Sequence, residues 1–183
     1  MKDCLFVPRA RIAAARAPAP YEAAAAGLWC AGSLAPLGRP TVAIVGTRAA
    51  TPYGTGLASA FAAELGRAGC TILSGLALGI DAAAHRGALS VGAPTLGVLG
   101  GGHRRFFPRR NRGLAEQMIA AGGAVLSPFA PDEEARPGQF IARNGIVAAL
   151  ADAVVVIEAP ARSGALNTAG WAAGRIPVLA VPG

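Results

Sequence analysis

The feature that most constrains the fold of this chain is a regular alternation of short apolar runs with helical patterns. Six apolar runs occupy residues 41–46, 70–74, 94–99, 123–127, 153–158 and 176–181. Helical patterns lie between them, at residues 54–68, 78–90, 111–121, 139–150 and 165–173. Such alternation is typical of right-handed βαβ crossovers. We therefore predict an α/β fold, a Rossmann-like doubly wound, mostly parallel sheet of six or more strands with helices on both faces.

The expected strand order places a ligand crevice at the switch point of the sheet. Six strands in a doubly wound sheet suggest the order 3-2-1-4-5-6, in which the first and fourth strands are neighbours. The turn Gly46-Thr47-Arg48 after the first strand and the segment Leu126-Ser127-Pro128 after the fourth are then expected to flank the crevice.

Residues 1–40 contain five prolines and short alanine-rich pieces, so we expect a partly ordered N-terminal lead-in. Within it, Leu28-Trp29-Cys30 is the part expected to dock on the core. Residues 41–183 are predicted to form one Rossmann-like domain. No stretch reaches 18 consecutive apolar residues and the N-terminus does not resemble a secretory signal, which favours a cytoplasmic location without membrane contact.

The three cysteines, Cys4, Cys30 and Cys70, have no CxxC spacing. Their odd number and the position of Cys70 inside a predicted strand favour buried free thiols over a zinc site or a disulfide framework. We expect no metal.

The chain is strongly basic, with a formal net charge of +7 and a pI of about 10.6. A polyanionic partner fits this charge, although arginine and alanine abundance is also what a GC-rich genome produces. In one segment, the positions of the arginines favour a polyanionic partner over genome composition. Arg104, Arg105, Arg109, Arg110 and Arg112 surround Phe106 and Phe107, and interleaved aromatic and basic residues favour nucleic-acid contact over a merely solvated face.

The turn Gly46-Thr47-Arg48 does not belong to a known nucleotide-binding motif. The nearest GxG, Gly54-Thr55-Gly56, lies eight residues past the first predicted strand, and no GxxxxGK[ST] sequence is present. We therefore expect no NAD, FAD or ATP and no other cofactor. Arg48 either offers a planar fork to a phosphate or pairs with a structural carboxylate.

Two further sets of polar residues follow predicted strands. Asp81 and His85 share a helix face and are either a hydrolase pair or, as we favour, a buried hydrogen-bonded pair that stabilises the turn. Ser74, Ser127 and Ser163 each follow a strand, and none lies in a GxSxG elbow. They are expected to donate to phosphate oxygens or to cap helices. Glu158, at the end of the fifth strand, is expected to orient donors or accept from a ribose or base.

Several segments together resemble the DprA/Smf family of DNA-processing proteins. The matching segments, in the same order as in that family, are AIVGTRAATPYG (43–54), SGLALGIDAAAH (74–85), the Gly100-Gly101-Gly102 turn to FFPRRN (106–111), GQFIARN (138–144), and VVVIEAPARSGALNTA (154–169) closed by AVPG (180–183). The resemblance implies an extended Rossmann-like domain that binds single-stranded DNA without sequence preference in natural transformation and recombination. It further implies protection of that DNA, assistance in loading the RecA recombinase, a homodimer, and no enzymatic activity.

The resemblance also assigns the site. Arg48 is expected to grip a phosphate, Phe140 to stack on a base, and Arg143-Asn144 and the Ser163-Gly164 turn to line the groove. With the turns and the basic run included, the candidate DNA- and phosphate-binding residues are Gly46, Thr47, Arg48, Ser74, Gly75, Arg104, Arg105, Arg109, Arg110, Arg136, Gly138, Phe140, Arg143, Asn144, Ser163 and Gly164.

The chain departs from the family pattern in several places. Pro137 replaces a lysine, so Arg136 must supply that charge, and Gly145 replaces a basic residue. The family's SEYP-like stretch reads Ser127-Pro128-Phe129-Ala130-Pro131 and lacks its glutamate. The arginine run of residues 104–112 is expected to compensate. Family members also continue beyond the position of Gly183, so the groove is expected to be incomplete.

Two rival functions remain from the sequence. One is a nucleotide-processing enzyme similar to the lysine-decarboxylase-like phosphoribohydrolases, whose PGGxGT turn is replaced here by Ala161-Arg162-Ser163-Gly164-Ala165. The other is a degraded paralogue that retains the fold without binding DNA.

Overall fold

The computed structural model describes residues 3–15 and 26–182, which form a mixed eight-stranded sheet with helices on both faces. The strands are β1 (Leu5–Pro8), β2 (Gly27–Gly32), β3 (Thr41–Val45), β4 (Thr71–Ser74), β5 (Thr95–Val98), β6 (Ala124–Ser127), β7 (Ala153–Val156) and β8 (Val178–Ala180). The α-helices are α1 (Arg9–Ala15), α2 (Pro52–Arg67), α3 (Ile80–Ser90), α4 (Arg112–Ala120), α5 (Pro137–Leu150) and α6 (Gly164–Ala172). Short 3-10 helices span Ala35–Gly38 and Arg109–Asn111. All six predicted strands and five predicted helices are confirmed, with ends shifted by one or two residues.

The strand order is β1-β2-β6-β5-β4-β3-β7-β8, so the predicted order is wrong. From β3 the chain winds outward through β4 and β5 to β6, and then returns to add β7 and β8 on the other side of β3. The switch point therefore lies between β3 and β7, and two strands separate β3 from β6. Alternating strands and helices do not reveal on which side of the sheet each crossover adds its strand.

Ser127 consequently does not flank the crevice. Its Oγ donates to the carbonyl oxygen of Gly101 over 2.9 Å and accepts from the backbone N–H of Phe129 over 3.0 Å. Instead of contacting a ligand, this buried hydroxyl stabilises the loops that follow β5 and β6.

The N-terminal strands extend the same sheet. β2 pairs antiparallel with β6, and β1 pairs antiparallel with β2. Leu28 and Cys30 in β2 are buried, which confirms that Leu28-Trp29-Cys30 docks on the core. Cys4 and Cys70 are half-buried, and Cys70 immediately precedes β4 instead of lying in it. The strand pairs from β6 across the sheet to β8 are all parallel.

Alternate residues along the central strands supply two separate apolar layers. Ile44 of β3 packs with Ile72 and Val155 beneath α2 and α3, whereas Ala43 and Val45 face α5 and α6. Strands buried on both faces are typical of parallel sheets. As a result, α3, α5 and α6 all begin near the carboxyl ends of the strands, where they enclose a crevice. No helix within the described residues is long and apolar enough to cross a membrane.

Candidate nucleic-acid interface

A cavity of about 510 Å³ opens at the carboxyl ends of β3 and β7, at the switch point of the sheet. We call it the crevice. It is lined by the turn after β3, the N-terminal half of α5 and the start of α6. The predicted site residues that line it are Gly46, Thr47, Arg48, Gly75, Phe140, Arg143, Asn144, Ser163 and Gly164.

The Gly46-Thr47-Arg48 turn is held from both sides. The backbone N–H of Thr47 donates to the carbonyl oxygen of Glu158 over 2.7 Å, and the N–H of Ile80 donates to the carbonyl oxygen of Thr47 over 3.2 Å. A Cβ on Gly46 would lie 2.4 Å from the Ile80 side chain, so a larger residue does not fit there. The turn therefore presents Arg48 from a rigid base.

The exposed Arg48 guanidinium lies over the ring of Phe140, with its Cζ 5.1 Å from the ring centroid. Within the described residues, Arg48 forms no ion pair with a carboxylate, which removes the structural-carboxylate alternative. Its donors remain available to a ligand while the ring supplies a cation–π contact.

Phe140 is half-buried and has neighbours on several sides. A Cβ on Gly100 would lie 2.7 Å from the ring, and the Phe107 ring meets it edge-on with centroids 6.1 Å apart. The Arg143 Cζ lies 5.9 Å from its centroid. Phe140 thus stands at the boundary between the crevice and the aromatic residues of the basic run.

Arg143 is buried and forms part of the crevice floor. Its Nη1 donates to the carbonyl oxygens of Gly75 and of Val98, the latter over 2.9 Å. A Cβ on Gly75 would overlap the guanidinium, so only glycine leaves room for this side chain. Arg143 therefore ties α5 to the ends of β4 and β5, a supporting position that sequence reasoning did not anticipate.

Asp81 provides the compensating charge beneath the crevice. Its Oδ2 accepts from the backbone N–H groups of Gly75 and Ala77 over 3.1 and 3.2 Å. Burial raises the pKa of Asp81, while Arg143 and these hydrogen bonds oppose the rise. Burial likewise lowers the pKa of Arg143, which Asp81 opposes.

The predicted Asp81–His85 hydrogen bond is wrong. The Thr95 hydroxyl donates to the carbonyl oxygen of Ile72 over 2.9 Å, so the His85 Nδ1–H donates to Thr95 Oγ1 over 2.7 Å. Burial, with Arg143 and Arg86 adding positive charge, lowers the pKa of His85 to about 3. Helix periodicity gives two residues a common face, but Asp81 is drawn to the β4 turn and His85 to β5.

Ser74 is corrected from a phosphate ligand to a supporting residue. Its side chain is fully buried, and its Oγ donates to the carbonyl oxygen of Ile44 over 2.6 Å. Glu158 is likewise occupied, since its Oε2 accepts from the backbone N–H and the hydroxyl of Thr51 over 3.1 and 3.2 Å. It orients the N-cap of α2.

The start of α6 forms the opposite wall of the crevice. Ser163 is the N-cap, and its Oγ accepts from the backbone N–H of Leu166 over 3.3 Å. The Asn144 side chain donates to the carbonyl oxygen of Gly164 over 3.1 Å and so fastens this turn to α5. Free N–H groups at a helix N-terminus favour anions. Arg162, which sequence reasoning missed, also lines the crevice and adopts a φ of 63°.

The basic run lies beside the crevice, around a second cavity of about 430 Å³ that we call the arginine cavity. It is lined by Arg104, Arg105, Phe106, Phe107, Arg109, Arg112, Glu134 and Ala135. Arg110 is exposed and does not line it. Arg136 and Gly138, at the start of α5, are exposed and line neither cavity.

Comparison with known proteins decides the family. The family model described as DNA recombination-mediator protein A matches residues 16–183 of this chain. The chain belongs to this family, also known as DprA/Smf. Protein Smf of Synechocystis sp. is 47% identical over 133 residues, which cover 73% of this chain and 33% of that protein.

Two solved DprA structures share the fold. DprA from Streptococcus pneumoniae superposes with a TM-score of 0.79 at 38% identity, covering 86% of this chain and 56% of that one. A Helicobacter pylori DprA structure that reports a single-stranded DNA binding mode has a TM-score of 0.82 at 32% identity, covering 99% of this chain and 80% of that one. The chain thus spans about a third of the length of its curated relative from Synechocystis sp..

Proposed function

We propose that this DprA/Smf domain binds single-stranded DNA in the crevice without sequence preference and performs no covalent chemistry on it. The observation that carries the proposal is the pairing of an exposed guanidinium, Arg48, with an aromatic ring, Phe140, opposite the N-terminus of α6. Arginine and helix N–H groups hold phosphates, and an aromatic face accepts any base. These are the two elements of sequence-tolerant binding.

The assigned roles follow from accessibility. Arg48 and the Ser163-Gly164 turn contact phosphates, and Phe140 stacks on a base. Gly46 and Thr47 present Arg48, while Gly75, Arg143 and Asn144 maintain the crevice from below and beside it. Arg136 and Gly138 lie outside the crevice, where Arg136 adds positive charge near its approach.

Partners of the whole protein form part of the same proposal. The Helicobacter pylori relative is described as binding single-stranded DNA, and the family description names recombination mediation. The first description supports strand binding and the second supports a role in recombination. From the family resemblance we add a role in natural transformation, protection of the strand and loading of RecA. We further propose a homodimer and a cytoplasmic location, as the family resemblance implies.

The test is the binding of fluorescent oligo-dT by the parent and by Arg48→Ala over a range of salt concentrations. Removing one phosphate contact lowers the slope of log affinity against log salt by about 0.7 for a single strand. We expect Arg48→Ala to weaken binding about tenfold or more and to lower the slope by about this amount. Poly-dT and mixed-sequence strands are expected to bind alike, and duplex DNA more weakly.

Arg67→Ala is the matched control. Arg67 is an exposed arginine at the C-terminal end of α2, remote from the carboxyl ends of the strands, and it pairs with Glu64. The control removes the same charge and is expected to leave binding almost unchanged. Equal affinities of Arg48→Ala and Arg67→Ala, or no preference for single strands over duplex, would refute the proposed function.

A further inference from the structure

We propose that the arginine cavity is a second phosphate-binding site for the same strand, and that an acidic loop pairs with two of its four arginines until the strand's phosphates displace it. The acidic loop is Asp132-Glu133-Glu134, between β6 and α5. The inference rests on the proposed function of the crevice, and it adds a second site, a path between the two and an internal competitor.

The arginine cavity has an excess of positive charge. Four arginines line it, and three of them each contact one carboxylate: Arg104 contacts Asp132, Arg105 contacts Glu134 and Arg112 contacts Glu116. Within the described residues, Arg109 forms no ion pair or hydrogen bond through its guanidinium. The flanking Phe107 is 52% exposed, an accessible aromatic surface beside these cations. Clustered guanidinium groups with an exposed ring match the chemistry of a phosphodiester strand.

A continuous path joins the arginine cavity to the crevice. Phe107 of the arginine cavity meets Phe140 of the crevice edge-on at 6.1 Å. A small cavity of about 70 Å³ lies at this junction, and its lining includes Arg48, Phe107 and Phe140. A strand that leaves Arg48 and Phe140 therefore reaches Phe107 and then Arg109 without crossing a barrier of buried apolar residues.

The acidic loop supplies internal anions at the positions where phosphates are expected. Arg104 Nη1 lies 2.6 Å from Asp132 Oδ2, and Arg105 Nη1 lies 3.8 Å from Glu134 Oε1. All four side chains are more than half exposed. Ion pairs this exposed are weak and exchange readily, so a polyanion replaces them without a large penalty.

The first experiment compares oligo-dT of about 5 nucleotides, enough for the crevice, with oligo-dT of about 20 nucleotides, since single-strand site sizes of this order are typical. We expect Arg105→Ala/Arg109→Ala to leave the short strand unaffected and to weaken the long strand about threefold to tenfold. Its salt slope for the long strand is expected to fall by about 1.4, the value for two phosphates.

The control is Arg67→Ala/Arg175→Ala, which removes the same charge. Arg67 ends α2 and Arg175 follows α6, so both lie towards the amino ends of the strands, away from the crevice. This variant is expected to bind both lengths as the parent does. If it weakens the long strand as much as the cavity variant, net charge is responsible and the second site is refuted.

The second experiment removes the internal competitor through Asp132→Asn/Glu134→Gln. Affinity for the long strand is expected to rise about twofold to tenfold, from the exchange of two exposed pairs, with the short strand unchanged. Glu64→Gln breaks a similar exposed pair with Arg67 and serves as control. Inorganic phosphate at high ionic strength is expected not to displace the acidic loop from the arginines. Free phosphate ions are not linked to one another, whereas the phosphates of a strand already bound in the crevice are held next to the arginine cavity.

The outcomes separate this inference from the proposed function. One possible result is that the parent and Arg105→Ala/Arg109→Ala bind the short strand equally well and also bind the long strand with equal affinity. This result refutes the second site and leaves the proposed function of the crevice intact. Unaltered long-strand affinity in Asp132→Asn/Glu134→Gln refutes the role of the acidic loop. Failure of the parent to bind either length refutes the proposed function and this inference together.

Discussion

Gly79, the residue before α3, is where backbone conformation and the crevice are most directly coupled. It has a φ of 75° and a ψ of −126°, a conformation that L side chains rarely adopt. A Cβ there would lie 2.3 Å from the carbonyl oxygen of Thr47 and 2.7 Å from that of Arg48. These are backbone atoms of the turn that presents Arg48, so Gly79→Ala must either displace the turn or displace the start of α3.

The cost has two parts. Holding alanine in a glycine-only region costs about 1–3 kcal/mol. Forcing a methyl group into a filled space costs about 1–3 kcal/mol more. Together they lower the free energy of unfolding by about 2–6 kcal/mol, against a total of about 5–15 kcal/mol for a typical domain. At about 2–4 °C per kcal/mol for a chain of this size, the midpoint of thermal unfolding falls by about 4–24 °C.

The assay is equilibrium urea unfolding followed by tryptophan fluorescence, with DNA affinity measured on the folded protein. Gly56→Ala is the matched control because Gly56 lies in the exposed interior of α2 with nothing within 4 Å of its added Cβ. There alanine is expected to stabilise the protein by about 0.5–1 kcal/mol. The same substitution should thus have opposite signs at the two sites.

Unfolding of Gly79→Ala at the same urea concentration as the parent would refute this prediction. A second result, destabilisation with the parent's DNA affinity, would distinguish the two possible displacements. The second result would mean that the strain is absorbed by α3 and that the turn carrying Arg48 does not move.

Two further predictions concern titratable groups in the core. Burial lowers the pKa of His85 to about 3 in the folded protein, against 6.5 in the unfolded chain. As the pH falls below 6.5, His85 is therefore protonated in the unfolded chain but not in the folded protein. Stability therefore decreases with acidification, by about 2–3 kcal/mol from His85 between pH 6.5 and 4.5. Urea unfolding of His85→Gln should show a shallower pH dependence, and an unchanged one would contradict the prediction. Burial, with a smaller effect of Cys4, raises the pKa of Cys30 to about 11, so at pH 8 a disulfide reagent should modify Cys4 and Cys70 while Cys30 reacts only on unfolding. Reaction of all three thiols at one rate would count against this.

The local elements and the crevice residues were largely predictable, because periodicity and glycine turns are local signals. The apolar runs correctly located β3 to β8, and Arg48, Phe140 and the Ser163-Gly164 turn do line one cavity. The strand order was not predictable in this way, since the same alternation fits either direction of winding. The crevice is consequently bounded by β7, not by β6.

The errors within the site come from burial. Nothing in the spacing of Arg143 distinguishes a guanidinium that faces solvent from one that folds inward to the carbonyl oxygens of Gly75 and Val98. The prediction that Ser74 contacts a phosphate is wrong for the same reason, because its hydroxyl donates to a backbone carbonyl oxygen of the neighbouring strand. Partners so distant in sequence are visible only after the sheet is assembled.

The contact between Arg48 and Phe140 has a consequence for affinity. In the free protein the Arg48 guanidinium lies over the ring of Phe140, so a base that stacks on this face must first displace the guanidinium, although its N–H donors remain available to a phosphate. The reaction is an exchange, and the measured affinity is reduced by the self-contact, worth about 0.5–1 kcal/mol for an exposed cation–π pair. Arg48→Ala both deletes a phosphate ligand and vacates the ring, two effects of opposite sign. The weakening it produces is therefore a lower limit on what Arg48 contributes to the bound state.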